Sequence, residues 1–173
     1  SGAMLSSLEY RDRSVQGVRS TTVARQTIRT LLGAPRRDVF LGPNATTLLG
    51  NLALAYVGQG LLNKDDEIVI STENHVANVK PWVEAAKVVG AVVKWLKPLG
   101  TDINDPTGLS SCHLEDLVTP RTRIVAVPHA SNIIGEVRDI AGIQQTVNRL
   151  TGGLGHTVVD GVAAAPHCFA NVE

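Results

Sequence analysis

Short runs of consecutive apolar, often β-branched residues alternate along the chain with longer stretches in which apolar positions recur every three or four residues. Val18, Val23, Ile28, Leu31 and Leu32 follow a loosely helical spacing, and Gly33-Ala34-Pro35 predicts where that helix stops. The run Val39-Phe40-Leu41 reads as a short strand ending at Gly42-Pro43. Thr46 to Tyr56 predicts a second helix, with Leu48, Leu49, Leu52 and Ala55 as its buried stripe. Asn63-Lys64-Asp65-Asp66 is a turn, Ile68-Val69-Ile70 a strand, and Pro81 to Val89 a helix closed by Gly90. Ala91 to Leu96 is another strand. The Gly-, Pro-, Asn- and Ser-rich stretch from Pro98 to Ser111 reads as a long loop, before a short helix near Leu114 to Leu117. Ile124 to Val127 is an almost wholly apolar strand, Ala141 to Leu150 a helix broken by Gly152-Gly153, and Thr157 to Val159 the last strand.

Strands apolar on both faces and separated by helices predict an α/β fold, a mostly parallel sheet flanked by helices. A sheet of this kind normally continues past such a strand into a further covering helix, so residues 1–173 are expected to be part of one domain. Composition then removes several function classes. With 43% hydrophobic and 18% charged residues the chain is not disordered. Sixteen Lys and Arg against sixteen Asp and Glu, with 3% aromatic residues, leave neither a basic field nor stacking platforms for nucleic acid. No apolar run approaches the roughly 18 to 20 residues of a membrane span. Two cysteines make no disulfide framework, so a reducing, cytoplasmic setting is expected. Ser1 to Gln16 lacks the apolar stretch of a signal peptide, and the chain is either processed at its start or a piece of something longer.

In open α/β sheets ligands bind beyond the carboxyl ends of the strands. Four strand exits carry chemistry: Gly-Pro-Asn-Ala-Thr-Thr after Leu41, Ser-Thr-Glu-Asn-His ending at His75, Pro-His-Ala-Ser-Asn ending at Asn132, and Asp160. The first can cradle a phosphate on free N–H groups and two hydroxyls at a helix N-terminus, although Asn44 or Thr46 could equally be a plain helix cap. Asp160, at the end of an apolar strand, needs either a cation or backbone N–H donors. His75 can lie against a ligand ring or relay protons, or be an ordinary surface histidine; Asn132 suits a ligand or a turn. Their shared placement, rather than any one of them, points to a site. Cys112-His113 and His167-Cys168 lack metal-ligand spacing, and no serine stands in a nucleophile elbow.

The segments GPNATTLLGNLALAY, DEIVISTENHVANVKPWVEAAKVVGAVVKWL, TPRTRIVAVPHASNIIGEV and HTVVDGVAAAPH, in this order from about Arg25 onward, resemble the large domain of the class V, fold type I enzymes that use pyridoxal phosphate (PLP), the cysteine-desulfurase-like group. The resemblance implies that Thr47, Thr46 and the Ala45 backbone bind the cofactor phosphate. It implies that His75 stacks on the pyridine ring as the catalytic histidine, Asn132 approaches the phenolic oxygen, and Asp160 pairs with the pyridinium nitrogen. Ala163 stands where the family usually has Gln or His, so one contact to the cofactor oxygen is missing. The family's Schiff-base lysine lies beyond the APH segment, whereas the lysines here are Lys64, Lys80, Lys87, Lys94 and Lys97. The resemblance therefore implies an amino-acid substrate and a homodimer, without a catalytically competent lysine or the C-terminal small domain in residues 1–173. Two other readings compete: a non-catalytic remnant of the same fold that binds a partner, and a metal-dependent hydrolase using His75, His129, Asp160 and His167.

Overall fold

The computed structural model describes residues 2–33, 38–97, 111–133 and 135–167. The chain divides into two compact units, Ser1–Gly42 with Cys168–Glu173, and Pro43–His167. In the first unit helix α1 spans Gly2–Leu31, beginning well before the apolar pattern that announces it. Gly33 follows it with φ +63°, a left-handed conformation that ends a helix, while Ala34 and Pro35 lie outside the described residues. Val39-Phe40-Leu41 is not a strand. These residues are irregular, and Phe40 is 77% exposed. Three apolar residues without a neighbouring strand have no ladder to complete and no core face to cover.

The second unit is built on four parallel strands, β1 (Glu67–Ser71), β2 (Val92–Leu96), β3 (Thr122–Pro128) and β4 (His156–Asp160), in the order β2-β1-β3-β4. Helix α2 (Ala45–Gly58) precedes β1, and a 3-10 turn (Val76–Asn78) and α3 (Lys80–Val89) join β1 to β2. Helix α4 (Ser111–Leu117) precedes β3, and α5 (Ile140–Thr151) joins β3 to β4. The expected loop at 98–110 lies outside the described residues.

Alternation along the strands divides the core. Ile68, Ile70, Ile124, Ala126 and Val158 face α2 and α3, packing with Trp82, Ala85 and Ala86. Val69, Val125 and Val127 face the other side, with Leu114, Val118 and Val147 of the α4–α5 layer. The two inner strands, β1 and β3, are buried on both faces, which accounts for their unbroken apolar runs. The stripe of α2 differs from its expectation. Leu49, Ala53, Tyr56 and Val57 pack inward, whereas Leu52 and Ala55 are exposed. The chosen side is decided by Trp82, whose ring meets Tyr56 edge-on at 5.6 Å, a pairing worth about 1 kcal/mol beyond its buried area.

Two local devices fix the ends of these elements. Pro81 sits in the first turn of α3, and Gly90 closes it at φ +80° with its N–H on the Ala86 carbonyl. Glu67, only 2% exposed, opens β1 at the amino edge of the sheet. It accepts from Lys94 Nζ (2.8 Å), Arg121 Nη2 (2.9 Å), Thr119 Oγ1 (2.6 Å) and Thr122 Oγ1 (3.2 Å). Burial pushes its carboxyl upward, but these donors and the Lys94 charge overcome that and hold it at about 2.

Candidate functional site

The chain reverses direction across the sheet between β1 and β3, since the order is β2-β1-β3-β4. The loops leaving those two strands therefore diverge to opposite faces and open a crevice at the carboxyl edge. A cleft of about 300 Å³ lies there, lined by Asn44, Ala45, Thr46, His75, Asn132, Asp160 and Ala163 together with Ala77, Pro128, Ala130 and Val162. Six of the seven residues singled out from the sequence thus share one cavity. Thr47 does not. It lines a second groove of about 540 Å³ between α2 and α3.

The α2 terminus is capped by Asn44. Asn44 is extended, and its Oδ1 accepts the Thr47 N–H at 2.8 Å, while the Leu48 N–H makes the first intrahelical bond to the Asn44 carbonyl at 3.2 Å. The N–H groups of Ala45 and Thr46 precede any intrahelical acceptor and stand at the positive end of the helix. Asn44 thus serves Thr47 as a helix cap, and the two preceding amides line the cleft's end of the helix. The turn follows irregular chain rather than a strand, so three strand exits and one helix terminus build the cavity, not four strand exits.

Asp160 ends β4 opposite Pro128 in the register, and the His129 N–H continues the ladder onto the Asp160 carbonyl at 2.9 Å. Its Oδ1 accepts the Val162 N–H at 3.0 Å. The carboxylate is half-buried, and among the described residues no Lys, Arg or His side chain forms an ion pair with it. One backbone donor thus meets part of its need, and no cation meets the rest. His75 caps the 3-10 turn, its Nδ1 accepting the Ala77 N–H at 3.2 Å. In the neutral ring that acceptor role puts the proton on Nε2. Asn132 lies in the turn after β3, between Ser131, whose Oγ accepts the Ile133 N–H, and Gly135 at φ +74°.

Two polar groups beneath the cleft escaped the sequence reading. Asn78 is fully buried; its Oδ1 accepts from Trp82 Nε1 at 3.1 Å and its Nδ2 donates to Asn74 Oδ1 at 3.1 Å. Longer contacts from Nδ2 reach the Val127 and Val158 carbonyls at 3.4 and 3.5 Å. Asn74 in turn donates to the Ala126 carbonyl at 2.8 Å, so the segment carrying His75 is tied to β3. The second group is Arg138, whose side chain is 1% exposed and pairs with Glu73 and Glu136. Burial lowers its pKa from the ordinary arginine value. Neither group shows in the sequence, because a polar residue in a loop reads as a solvent-facing one until its burial is known. Among the described residues, no three His, Cys, Asp or Glu side chains gather closely enough to hold a metal ion.

The family profile described as Aminotransferase class-V matches residues 5–173. The chain belongs to the class-V aminotransferase family. It is 36% identical over 136 residues to an aminotransferase-like protein of Gibberella zeae, covering 79% of this chain and 32% of that one. It is 31% identical over 163 residues to a cysteine desulfurase-like protein of Aspergillus flavus, covering 93% of this chain and 36% of that one. The crystal structure of the cysteine desulfurase CsdA from Escherichia coli matches with a TM-score of 0.69 and 28% identity, over 87% of this chain and 36% of CsdA. The class-V chain described above therefore has the fold type I architecture and spans about a third of the length of these relatives. Among its described residues no helix is long and apolar enough to cross a membrane.

Proposed function

We propose that this chain holds pyridoxal 5'-phosphate in the cleft and contributes to a cysteine-desulfurase-like reaction on an amino acid such as cysteine. The observation that carries the proposal is the meeting, in one cavity of a class-V chain, of an uncommitted helix N-terminus with a carboxylate that has no cationic partner among the described residues. That donor set suits a molecule with a dianion at one end and a protonated ring nitrogen at the other. The bound cofactor would supply an electron sink for the bonds at an amino acid's α-carbon.

The chain's own residues do the rest. The Ala45 and Thr46 N–H groups and the Thr46 hydroxyl receive the phosphate, and Thr47 stands aside in the second groove. Asp160 holds the proton on the ring nitrogen, and that cation offsets the cost of its partial burial. His75 lies against the ring with Nε2 as its remaining donor, and Asn132 donates to the phenolic oxygen. Ala163 adds only a methyl group at the same wall. Among the described residues no lysine lines the cleft, and Lys80 borders the second groove beside Glu84 at 3.7 Å. Residues 1–173 therefore hold the cofactor without a covalent anchor and are not by themselves a competent desulfurase.

The test is titration of the purified chain with PLP, followed by absorbance and by Trp fluorescence, with Asp160→Ala as the control. Saturable one-to-one binding that the control weakens at least tenfold supports the reading, and an unsaturable response identical in both chains refutes it. Borohydride treatment at one equivalent should leave the cofactor removable by denaturation. A single lysine labelled in the native chain but not in Asp160→Ala would overturn the non-covalent part.

A further inference from the structure

The cleft walls belong to two different loops. His75 lies on the segment after β1, and Asn132 on a hairpin after β3. The hairpin is internally closed: Ala130 and Val137 form an antiparallel bridge, the Ser131 N–H meets the Glu136 carbonyl at 2.9 Å, and the Arg138 N–H meets the His129 carbonyl at 2.9 Å. The segment after β1 is anchored to the sheet by Asn74 and Asn78. What joins one loop to the other is a guanidinium. Arg138, at the base of the hairpin, reaches Glu73, two residues before His75, and also contacts Glu136 on its own arm of the hairpin at 3.5 Å. All three side chains are largely withdrawn from water, at 1%, 13% and 13% exposure for Arg138, Glu73 and Glu136.

We propose that Arg138 is a positioning residue which, by bridging Glu73 and Glu136, sets the spacing between the His75 loop and the Asn132 hairpin. The role of the spacing rests on the PLP reading above; the bridge itself does not. Both contacts come from one nitrogen, Nη2, whose direction the planar guanidinium fixes, whereas an ammonium is a point charge with rotatable donors. In a medium shielded from water such a pair is held firmly, because separating it strands a buried charge. A ring slot needs its two walls at a fixed separation, so a clamp below the slot acts on ligand affinity without touching the ligand.

Two variants of the whole chain test this. Glu73→Gln keeps the side-chain shape and leaves Arg138 its Glu136 partner, so the fold should survive. Arg138→Lys keeps the charge and removes the planar group that fixes the donor's direction. NMR of the cofactor-free chain reads the His75 ring and the Asn132 side-chain amide, and PLP titration reads affinity. Both variants should shift or broaden those two signals, and both should weaken PLP binding about tenfold while far-UV circular dichroism stays unchanged. His75 and Asn132 signals that superimpose on those of the unaltered chain in either folded variant would overturn the inference, and so would a change in melting temperature alone. If the unaltered chain does not bind PLP, the cofactor reading fails while the NMR comparison still decides the clamp.

Discussion

Replacing Asn78 by Ala removes a fully buried amide that serves four partners at once. The largest consequence is at Trp82, itself fully buried, whose Nε1–H loses the one acceptor it has among the described residues and has no solvent to turn to. A buried donor left unsatisfied costs about 1 to 3 kcal/mol. Asn74 Oδ1 is only half-buried and can rehydrate, which adds about 0.5 to 1 kcal/mol. The carbonyl contacts at 3.4 and 3.5 Å are long and contribute little. The sum is about 2 to 4 kcal/mol. Urea denaturation followed by Trp emission should report it as a fall in midpoint of roughly 1 to 2 M at unchanged slope. Both tryptophans, Trp82 and Trp95, lie in the Pro43–His167 unit, so the signal reads that unit alone. The double variant Asn78→Ala with Trp82→Phe separates causes, because phenylalanine has no N–H to strand. If the reasoning holds, Asn78→Ala costs at least about 1 kcal/mol less in the Trp82→Phe background than alone, with Trp95 as the probe. Equal costs in both backgrounds would refute it.

Three further outcomes follow from the same contacts. Glu67 has its folded-state pKa depressed from the usual 4.5 to about 2, so its contribution to stability is complete above pH 4.5 and is lost as pH falls toward 2. Because Arg121 is 67% exposed and screened, about 2 kcal/mol is expected over that interval, and Glu67→Gln should flatten that part of a denaturation-against-pH curve. Gly155→Ala should destabilise by about 1 to 3 kcal/mol in thermal unfolding, since an added Cβ would stand 2.8 Å from Thr151 Cγ2 and 2.9 Å from Val147 Cγ1 at the closely packed end of α5. Thr46→Val should weaken PLP binding about tenfold in a fluorescence titration and Thr47→Val should leave it unchanged, because only Thr46 lines the cleft.

The sheet and most of its helices were legible because their signals are local and redundant. The runs at Ile68, Ile124 and Thr157 each matched a strand, and Gly90 and Gly152, both left-handed, ended helices where glycine was expected to. Two misreadings share one cause, namely that the deciding partner is distant in sequence. Val39-Phe40-Leu41 has the composition of a strand but no neighbour to pair with. On α2 the apolar residues Leu48, Leu52 and Leu54 lie outside the inward-packing set of Leu49, Ala53, Tyr56 and Val57, so periodicity alone could not say which face turns inward. Trp82, on another helix, makes that choice.

The site divides along the same line. Residues that meet a ligand directly sit just past strand ends or at a helix start, so a rule about α/β sheets finds them from letters alone. The residues that hold those in place carry no such address. Asn74, Asn78, Glu73 and Arg138 are polar residues within loops or at their edges, a context in which polarity ordinarily signifies solvent. Here it signifies the opposite. These side chains turn in toward the protein, and most of their buried donors and acceptors find a partner there. The partners they find are the carbonyls of β3 and β4 and the carboxylate of the facing loop, so satisfying the buried groups and fixing the distance between the cleft walls are one physical requirement. That is why a substitution at Asn78 is expected to lower stability, while one at Glu73 is expected to alter the cleft in a chain that still folds.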